Sequence, residues 1–336
     1  EILEWGRRNA GSSQGKCVLI STLEEYVRIV SEHRDEMSEF FLFRLPPASL
    51  AAQLIDKRSQ YRLMENLGLN VPATVSSERE DFIEATTEHI GFPCVLKPCE
   101  SHLWRQVRGR FKALQVNSPR ELEIEWNRLG QLGHEFLAQE AIPGNDDRLY
   151  SYLGYYNEAG RPLGDLTVRK LRQQPAGYGS GSLVESIDEP GLYRISRRAL
   201  EEIGYAGHLD MEYKLDPRDD AWKLIEVNIR GTAFIQLAVS SGVDLPWIGY
   251  LDTGYLRTSA PAARKTGVRF INSGWDLQAV LSTPDGGIPS LAAWILDLRK
   301  VRAFALLNLW DIKPIIWELT EYIRKLTGRF RNIDPE

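Results

Sequence analysis

A chain of 336 residues is long enough to divide its core between two or three lobes, because single cores stop growing near about 250–300 residues. A net charge of −5 gives no electrostatic footprint for phosphate-backbone binding, which excludes nucleic acid as a partner. Cys17, Cys94 and Cys99 form neither a CxxC pair nor a Cys/His cluster, so the sequence indicates neither a disulfide framework nor a zinc site and reads as reduced and cytoplasmic. No run of about 18 apolar residues is present to cross a bilayer, and the opening EILEWGRRNAG is too charged for a signal peptide. The lack of an initiating Met reads as a missing natural start. The Trp-, Leu- and Arg-rich stretch from 291 to 330 reads first as helix packed on its own protein, with contact to a membrane or partner as the alternative.

In chain order, KCVLIST (16–22) predicts a strand, and LEEYVRIVSEHRDEMSEF predicts a helix with Thr22 as N-cap and Glu25 in the box position. FFLFRLPP predicts a second strand, so the first 48 residues form part of an α/β lobe. SLAAQLIDKRSQYRLMENLGLNVPAT predicts one amphipathic helix closed by Gly68. A helix around EREDFIEATTEHIG, a strand FPCVLKP, a polar loop CESHLWRQVRGRF and a strand KALQVN follow. SPRELEIEWNRLGQLG predicts a helix capped by Ser118 with Glu121 in the box, leading to strand FLAQEAI. Residues 149–172 read as a hairpin turning at NEAG, PAGYGSGS as a Gly-rich loop, and GLYRISRRALEEIGY as a helix. No internal repeat is visible.

The strands HLDMEYKLD and WKLIEVN, joined by PRDDA, predict a second hairpin. Alternation puts Glu226, Asn228 and Arg230 on one face and Ile225, Val227 and Ile229 on the other. Symmetric pairing opposes Asp216 to Trp222, Glu212 to Glu226 and Asp210 to Asn228. Two opposed carboxylates repel, and a divalent cation is the obvious compensation; an all-oxygen ligand set suits Mg²⁺ or Mn²⁺. Against this stands a solvated face on which Lys or Arg pairs with the acids. Arg230 offers a bidentate contact to a phosphate or carboxylate beside the metal, and its plain alternative is a surface arginine.

Lys97 sits inside an apolar strand, where an ammonium is costly without an anion such as a nucleotide phosphate; Lys57 and Lys170 are further candidates. The strand end Gln139, Glu140, Ala141 and Ile142 offers backbone groups to an adenine, and Asp147 offers a carboxylate to ribose hydroxyls. A plain strand-to-turn junction is the alternative. Trp247, Tyr250 and Trp275 read as core residues before pocket-lining ones.

The order DKRSQYRLMENLGLNVPAT, FPCVLKP, AQEAIPGNDD, RKLR and DMEYKLDPRDDAWKLIEVNIRG resembles the ATP-grasp superfamily over about residues 50–235, and within it the carboxylate–amine ligases, including the D-aspartate ligase type. The last motif is similar to that family's metal-binding Glu-x-Asn-x-Arg pattern, with Ile229 where proline is more usual. The resemblance implies an α+β ATP-grasp fold: a partial N-terminal Rossmann-like lobe over 1–50, an ATP-grasp domain over 51–260 with a nucleotide lobe near 70–140 and a metal-binding lobe near 141–260, and a largely helical extension over 261–336. It implies ATP and Mg²⁺ (or Mn²⁺) as cofactors. Lys57 and Lys97 would contact the nucleotide, Gln139, Glu140, Ala141 and Ile142 the adenine, and Asp147 the ribose. Lys170 would face the phosphates, Glu212, Glu226 and Asn228 would hold the metal, and Arg230 would steady the reacting group. The loop after Lys97 is poorer in glycine than the family's phosphate-covering loop, leaving that task to Ser101, His102 or Arg105. QQPAGYGSGS reads as a mobile cover. The implied activity is ADP-forming ligation of a small-molecule carboxylate to an amine through an acyl phosphate. Bicarbonate activation of the biotin-carboxylase kind and a non-catalytic ATP-binding role are the alternatives, and a homodimer is left open.

Overall fold

The computed structural model describes residues 1–9, 15–100, 113–131, 133, 135–256, 263–282, 288–307, 311–314, 316, 317, 320 and 324. The loop assigned to phosphate cover, with Ser101, His102 and Arg105, lies outside the described residues.

The first lobe holds helix α1 (Ile2–Asn9), strand β1 (Cys17–Val18), helix α2 (Glu24–Glu32), the short helix α3 (Arg34–Ser38) and strand β2 (Phe41–Leu42), with β1 and β2 parallel. Helix α2 starts after Leu23 without a side-chain cap, so Thr22 does not play the role its sequence position suggests. The single helix expected from 49 onward is two, α4 (Ala48–Ile55) and α5 (Lys57–Asn66). Asp56 leaves helical geometry and its carboxylate accepts from the backbone N–H groups of Arg58 and Ser59, capping a new helix in mid-run. That break sets Lys57 at the first position of α5, with its backbone N–H on the Cys99 carbonyl at 3.0 Å.

A four-stranded sheet follows, built from β3 (Thr74–Ser76), β4 (Cys94–Pro98), β5 (Leu114–Val116) and β6 (Phe136–Glu140) in the order β3-β6-β4-β5. Helices α6 (Phe82–His89) and α7 (Pro119–Gln131) flank it and bury Phe82, Leu122, Leu129 and Phe136. Ser118 caps α7 by accepting from the Glu121 N–H at 3.2 Å, while the Glu121 carboxylate reaches the N–H of Asn117, not that of Ser118.

The large sheet has the order β11-β10-β7-β8-β9-β12-β13. Its members are β7 (Leu149–Tyr156), β8 (Pro162–Gln174), β9 (Ser180–Ile187), β10 (Gly207–Leu215), β11 (Trp222–Asn228), β12 (Arg269–Ile271) and β13 (Val301–Phe304). Strand β9 begins inside the run read as a Gly-rich loop, and Ser180 and Gly181 pair with Gln174 and Gln173. Alternation on β7 sends Tyr152 and Tyr156 into a core with helix α8 (Pro190–Glu202). It sends Leu153 and Tyr155 into a second core, together with residues of helices α9 (Ile235–Ser240) and α10 (Leu245–Thr253).

Residues beyond 261 are built into this sheet instead of standing off it: β12 pairs with β9, and β13 with β12. Helices α11 (Ser273–Leu281) and α12 (Ile288–Leu298) are held by Asp276, which is fully buried and accepts from Arg172, Ser182 and Trp294. A helical count along the sequence misses the two short strands because neither has enough residues to show a period.

The β10–β11 hairpin opposes Glu212 to Glu226 and Asp210 to Asn228 as expected. A β-bulge after Glu212 shifts the outer rungs, so Trp222 faces Leu215 and not Asp216. It also moves Ile225 out of the core face, which Leu224, Val227 and Ile229 occupy, and onto the cleft. The bulge has a partner. On this edge strand the Tyr61 hydroxyl donates to the Ile225 carbonyl at 2.6 Å, and the Gln60 amide bonds both the N–H and C=O of Val227.

Candidate active site

A cleft of about 440 Å³ lies where the small sheet, the large sheet and helices α2, α5 and α11 meet. The small sheet contributes Lys97 and Gln139 to Ile142, the hairpin contributes Glu212, Glu226, Asn228 and Arg230, and α5 contributes Lys57. Of the residues expected from sequence, Asp147 and Lys170 do not line it.

Each opposed carboxylate has a lysine. Lys57 Nζ lies 2.8 Å from Glu226 Oε1, and Lys170 Nζ lies 2.6 Å from Glu212 Oε2. The acids are therefore paired, as the plain reading held, but on a mostly buried face where both side chains keep under one-fifth of their exposure. Burial works against the Lys57 ammonium, yet Glu226, joined by Glu24, outweighs it and raises the pKa. The same opposition raises Lys170, which burial disfavours and Glu212 and Asp210 favour. Lys170 is 1% exposed and sits behind Glu212, beneath the cleft floor.

Asp210 is buried on the same strand face, and burial followed by the Glu212 charge pushes its carboxyl up to about 7. Its Oδ1 has no hydrogen-bond partner among the described residues. Among those residues no three Asp, Glu, His or Cys side chains form a ready metal cage. Two opposed carboxylates with the Asn228 amide instead fit a hard cation that keeps several positions for water and phosphate oxygens, the habit of Mg²⁺. The donor set is all oxygen, which argues against zinc.

Lys97 has a neutral partner. Its ammonium donates to Gln139 Oε1 at 2.6 Å, and among the described residues no carboxylate lies within ion-pair distance. Glu140 is committed to Arg218, which also holds Asp216, and its second oxygen accepts from the Ala73 N–H. Ala141 and Ile142 carry the cleft wall onward. Asp147 pairs with Arg169 at 3.0 Å, away from the lining, and its neighbour Asp146 does more at the cleft. Asp146 accepts from Gln173 and from the Gly177 N–H, tying down the turn between β8 and β9. Tyr178 of that turn donates to Gln115 of the small sheet at 3.0 Å. Arg230 bonds the Gly231 carbonyl and Asn228 Oδ1, and no carboxylate ion pair engages it among the described residues.

Sequence reasoning missed Gln60, Tyr61, Arg218, Asp146 and the cleft-lining Lys214, and it placed Trp275 in the core before the pocket wall that it lines. Only Asp146, next to the chosen Asp147, carried a local signal. Trp275 lines the cleft from α11, whereas Trp247 and Tyr250 stack on each other at the surface with ring centroids 5.3 Å apart.

No family model matches the chain. A D-aspartate ligase of Enterococcus faecium (strain Aus0004) is 28% identical over 238 residues, 68% of this chain and 56% of that protein. The chain thus spans little more than half the length of this curated relative. The biotin carboxylase–β-γ-ATP complex of Campylobacter jejuni superposes with a TM-score of 0.62 at 16% identity, covering 80% of this chain and 60% of the other. The L-amino acid ligase of Bacillus licheniformis gives 0.57 at 12% identity, covering 77% and 64%. The chain has the ATP-grasp fold. In ATP-grasp terms the cleft lies between the small sheet and the β10–β11 hairpin, and the residues after 261 extend the larger sheet. No helix among the described residues is long and apolar enough to cross a membrane.

Proposed function

We propose that the protein is an ADP-forming ligase that joins a small-molecule carboxylate to an amine, using Mg²⁺ and ATP in the cytoplasm. The observation that carries this reading is the cleft itself: Lys97, with no acidic partner among the described residues, on one wall and the opposed Glu212 and Glu226 on the other. Such a cleft suits a polyphosphate with its cation. Lys97 and Lys57 bind phosphate oxygens, while the wall from Gln139 to Ile142 takes the base. Glu212, Glu226 and Asn228 hold Mg²⁺, which when bound neutralises charge on the transferring phosphoryl group. Lys170 keeps Glu212 in place from beneath.

The donor carboxylate oxygen attacks the γ-phosphorus, the bond to ADP breaks, and an acyl phosphate forms. The neutral amine nitrogen then attacks the carbonyl carbon, the C–O bond to phosphate breaks, and the amine's proton leaves with the phosphate. Arg230, free of any acidic partner among the described residues, faces the negative charge that develops in both steps. The lobes near 70–140 and 141–260 close on the cleft, with the turn at 175–179 as part of the cover that excludes water.

D-aspartate is the first donor to try, since the curated relative is named for it and is more similar in sequence than the carboxylase and ligase structures. The test is mass spectrometry after incubation with ATP, Mg²⁺, D-aspartate and a pool of amines and other carboxylates. A new amide mass with equimolar ADP, abolished in Glu226→Ala, is the expected result. Intact ATP with no nucleotide bound would overturn the reading, and ADP formation driven by bicarbonate would replace the donor.

A further inference from the structure

The two lysines that neutralise the opposed carboxylates are not equivalent. Lys170 is enclosed by the sheet, is absent from the cleft wall, and has nowhere to go. Lys57 lines the cleft, so its ammonium reaches both Glu226 and the space a phosphate would fill. Its backbone is fixed: the N–H bonds the Cys99 carbonyl at 3.0 Å, two residues beyond Lys97, so exchange of partner needs only side-chain rotation.

We propose that Lys57 is an exchange cation that occupies Glu226 until a nucleotide phosphate draws it away, so that the divalent cation enters with the nucleotide and not before it. This rests on the ligase reading above and adds an order of binding to it. An ammonium 2.8 Å from Glu226 Oε1 competes directly with a cation for that carboxylate. A phosphate removes the competitor and brings its own oxygens to the cation. Lys57 therefore opposes the free cation and favours the cation–nucleotide complex, and removing it changes the two affinities in opposite directions. A lysine that only contacts phosphate would weaken nucleotide binding and leave the free cation unaffected.

The experiment titrates the full chain with Mn²⁺, following loss of the free-ion electron paramagnetic resonance signal, with and without ADP, in wild type, Lys57→Met and Lys57→Gln. The expected result is at least tenfold tighter binding of free Mn²⁺ in both variants and at least tenfold weaker binding of Mn²⁺ with ADP. Thermal unfolding of each variant confirms that it is folded. If wild type binds Mn²⁺ with ADP and the folded variants lose that affinity without gaining free Mn²⁺, the exchange role is overturned and the ligase reading stands. If wild type binds no ADP at any Mn²⁺ concentration, the ligase reading falls and this inference with it.

Discussion

The Lys97 ammonium donates to Gln139 Oε1 at 2.6 Å, and the neutrality of that partner leaves the cation's charge available to a ligand. Gln139 is itself buried and its amide is anchored on Thr74 Oγ1, so it holds the lysine in position without discharging it. Gln139→Glu would supply a charged partner of the same shape. We expect it to weaken ADP binding by tenfold or more, about 1.4 kcal/mol, while thermal stability holds or rises. Calorimetric titration with Mg²⁺ and ADP checks this, and unchanged affinity would separate Lys97 from the phosphates.

The parts of this site that were legible are those that two-residue alternation reveals. Glu212, Glu226, Asp210 and Asn228 share a face because a strand sends every second side chain the same way, and the turn PRDDA fixes which residues meet. The bulge at Ile225 was not legible, because it is set by Gln60 and Tyr61, more than 160 positions away. Lys170 was found but assigned the wrong surroundings: the sequence marks its strand, not that Glu212 lies between it and the cleft. The break at Asp56 did leave a trace, an N-cap residue inside a helical run. Periodicity continuing across it concealed that trace.

Asp276 tests how far the residues after 261 belong to the large sheet. One fully buried carboxylate there accepts from Arg172 on β8, Ser182 on β9 and Trp294 on α12. Asp276→Asn should cost about 3 kcal/mol, the lower end for breaking a buried pair because Arg172 keeps Asp297 as a second partner. Urea denaturation measures it. A loss under about 1 kcal/mol would mean that this segment folds with little help from the network.

His208 and Asp210 share a strand face, and their titrations oppose each other. Burial holds His208 down to about 4, with the Tyr155 ring and Gly249 against it and both ring nitrogens unpartnered among the described residues. Its unfolded pKa is near 6.5, so the stability it contributes is present above that pH and is lost as pH falls toward 4. Asp210 faces Glu212, Lys170 and Arg230 and is raised to about 7, so its effect has the other sign: stability is lost as pH rises from about 4 toward 7. In the metal- and nucleotide-free protein the two slopes offset each other. His208→Gln should leave a protein that weakens as pH rises through this window, and Asp210→Asn one that weakens as pH falls, each by up to about 1.4 kcal/mol per pH unit. Denaturation midpoints from pH 4 to 7 that move in parallel for both variants would refute the assignment.

The turn between β8 and β9 separates two kinds of glycine requirement. Gly177 has φ +85° with open space around a would-be Cβ, so Gly177→Ala should cost only the left-handed strain, about 1–2 kcal/mol. A Cβ at Gly179 would instead strike the backbone of Gln174 and Pro175, closer than any real side chain approaches, and backbone cannot swing aside as a side-chain tip does. Gly179→Ala must therefore move the turn, and with it Tyr178 and the Asp146 contact to Gly177 at the cleft mouth. The expected outcome is a small loss of stability and near-normal ADP affinity for Gly177→Ala, against at least a tenfold loss of ADP affinity for Gly179→Ala. Equal ADP affinities in the two variants would show that this turn does not cover the nucleotide.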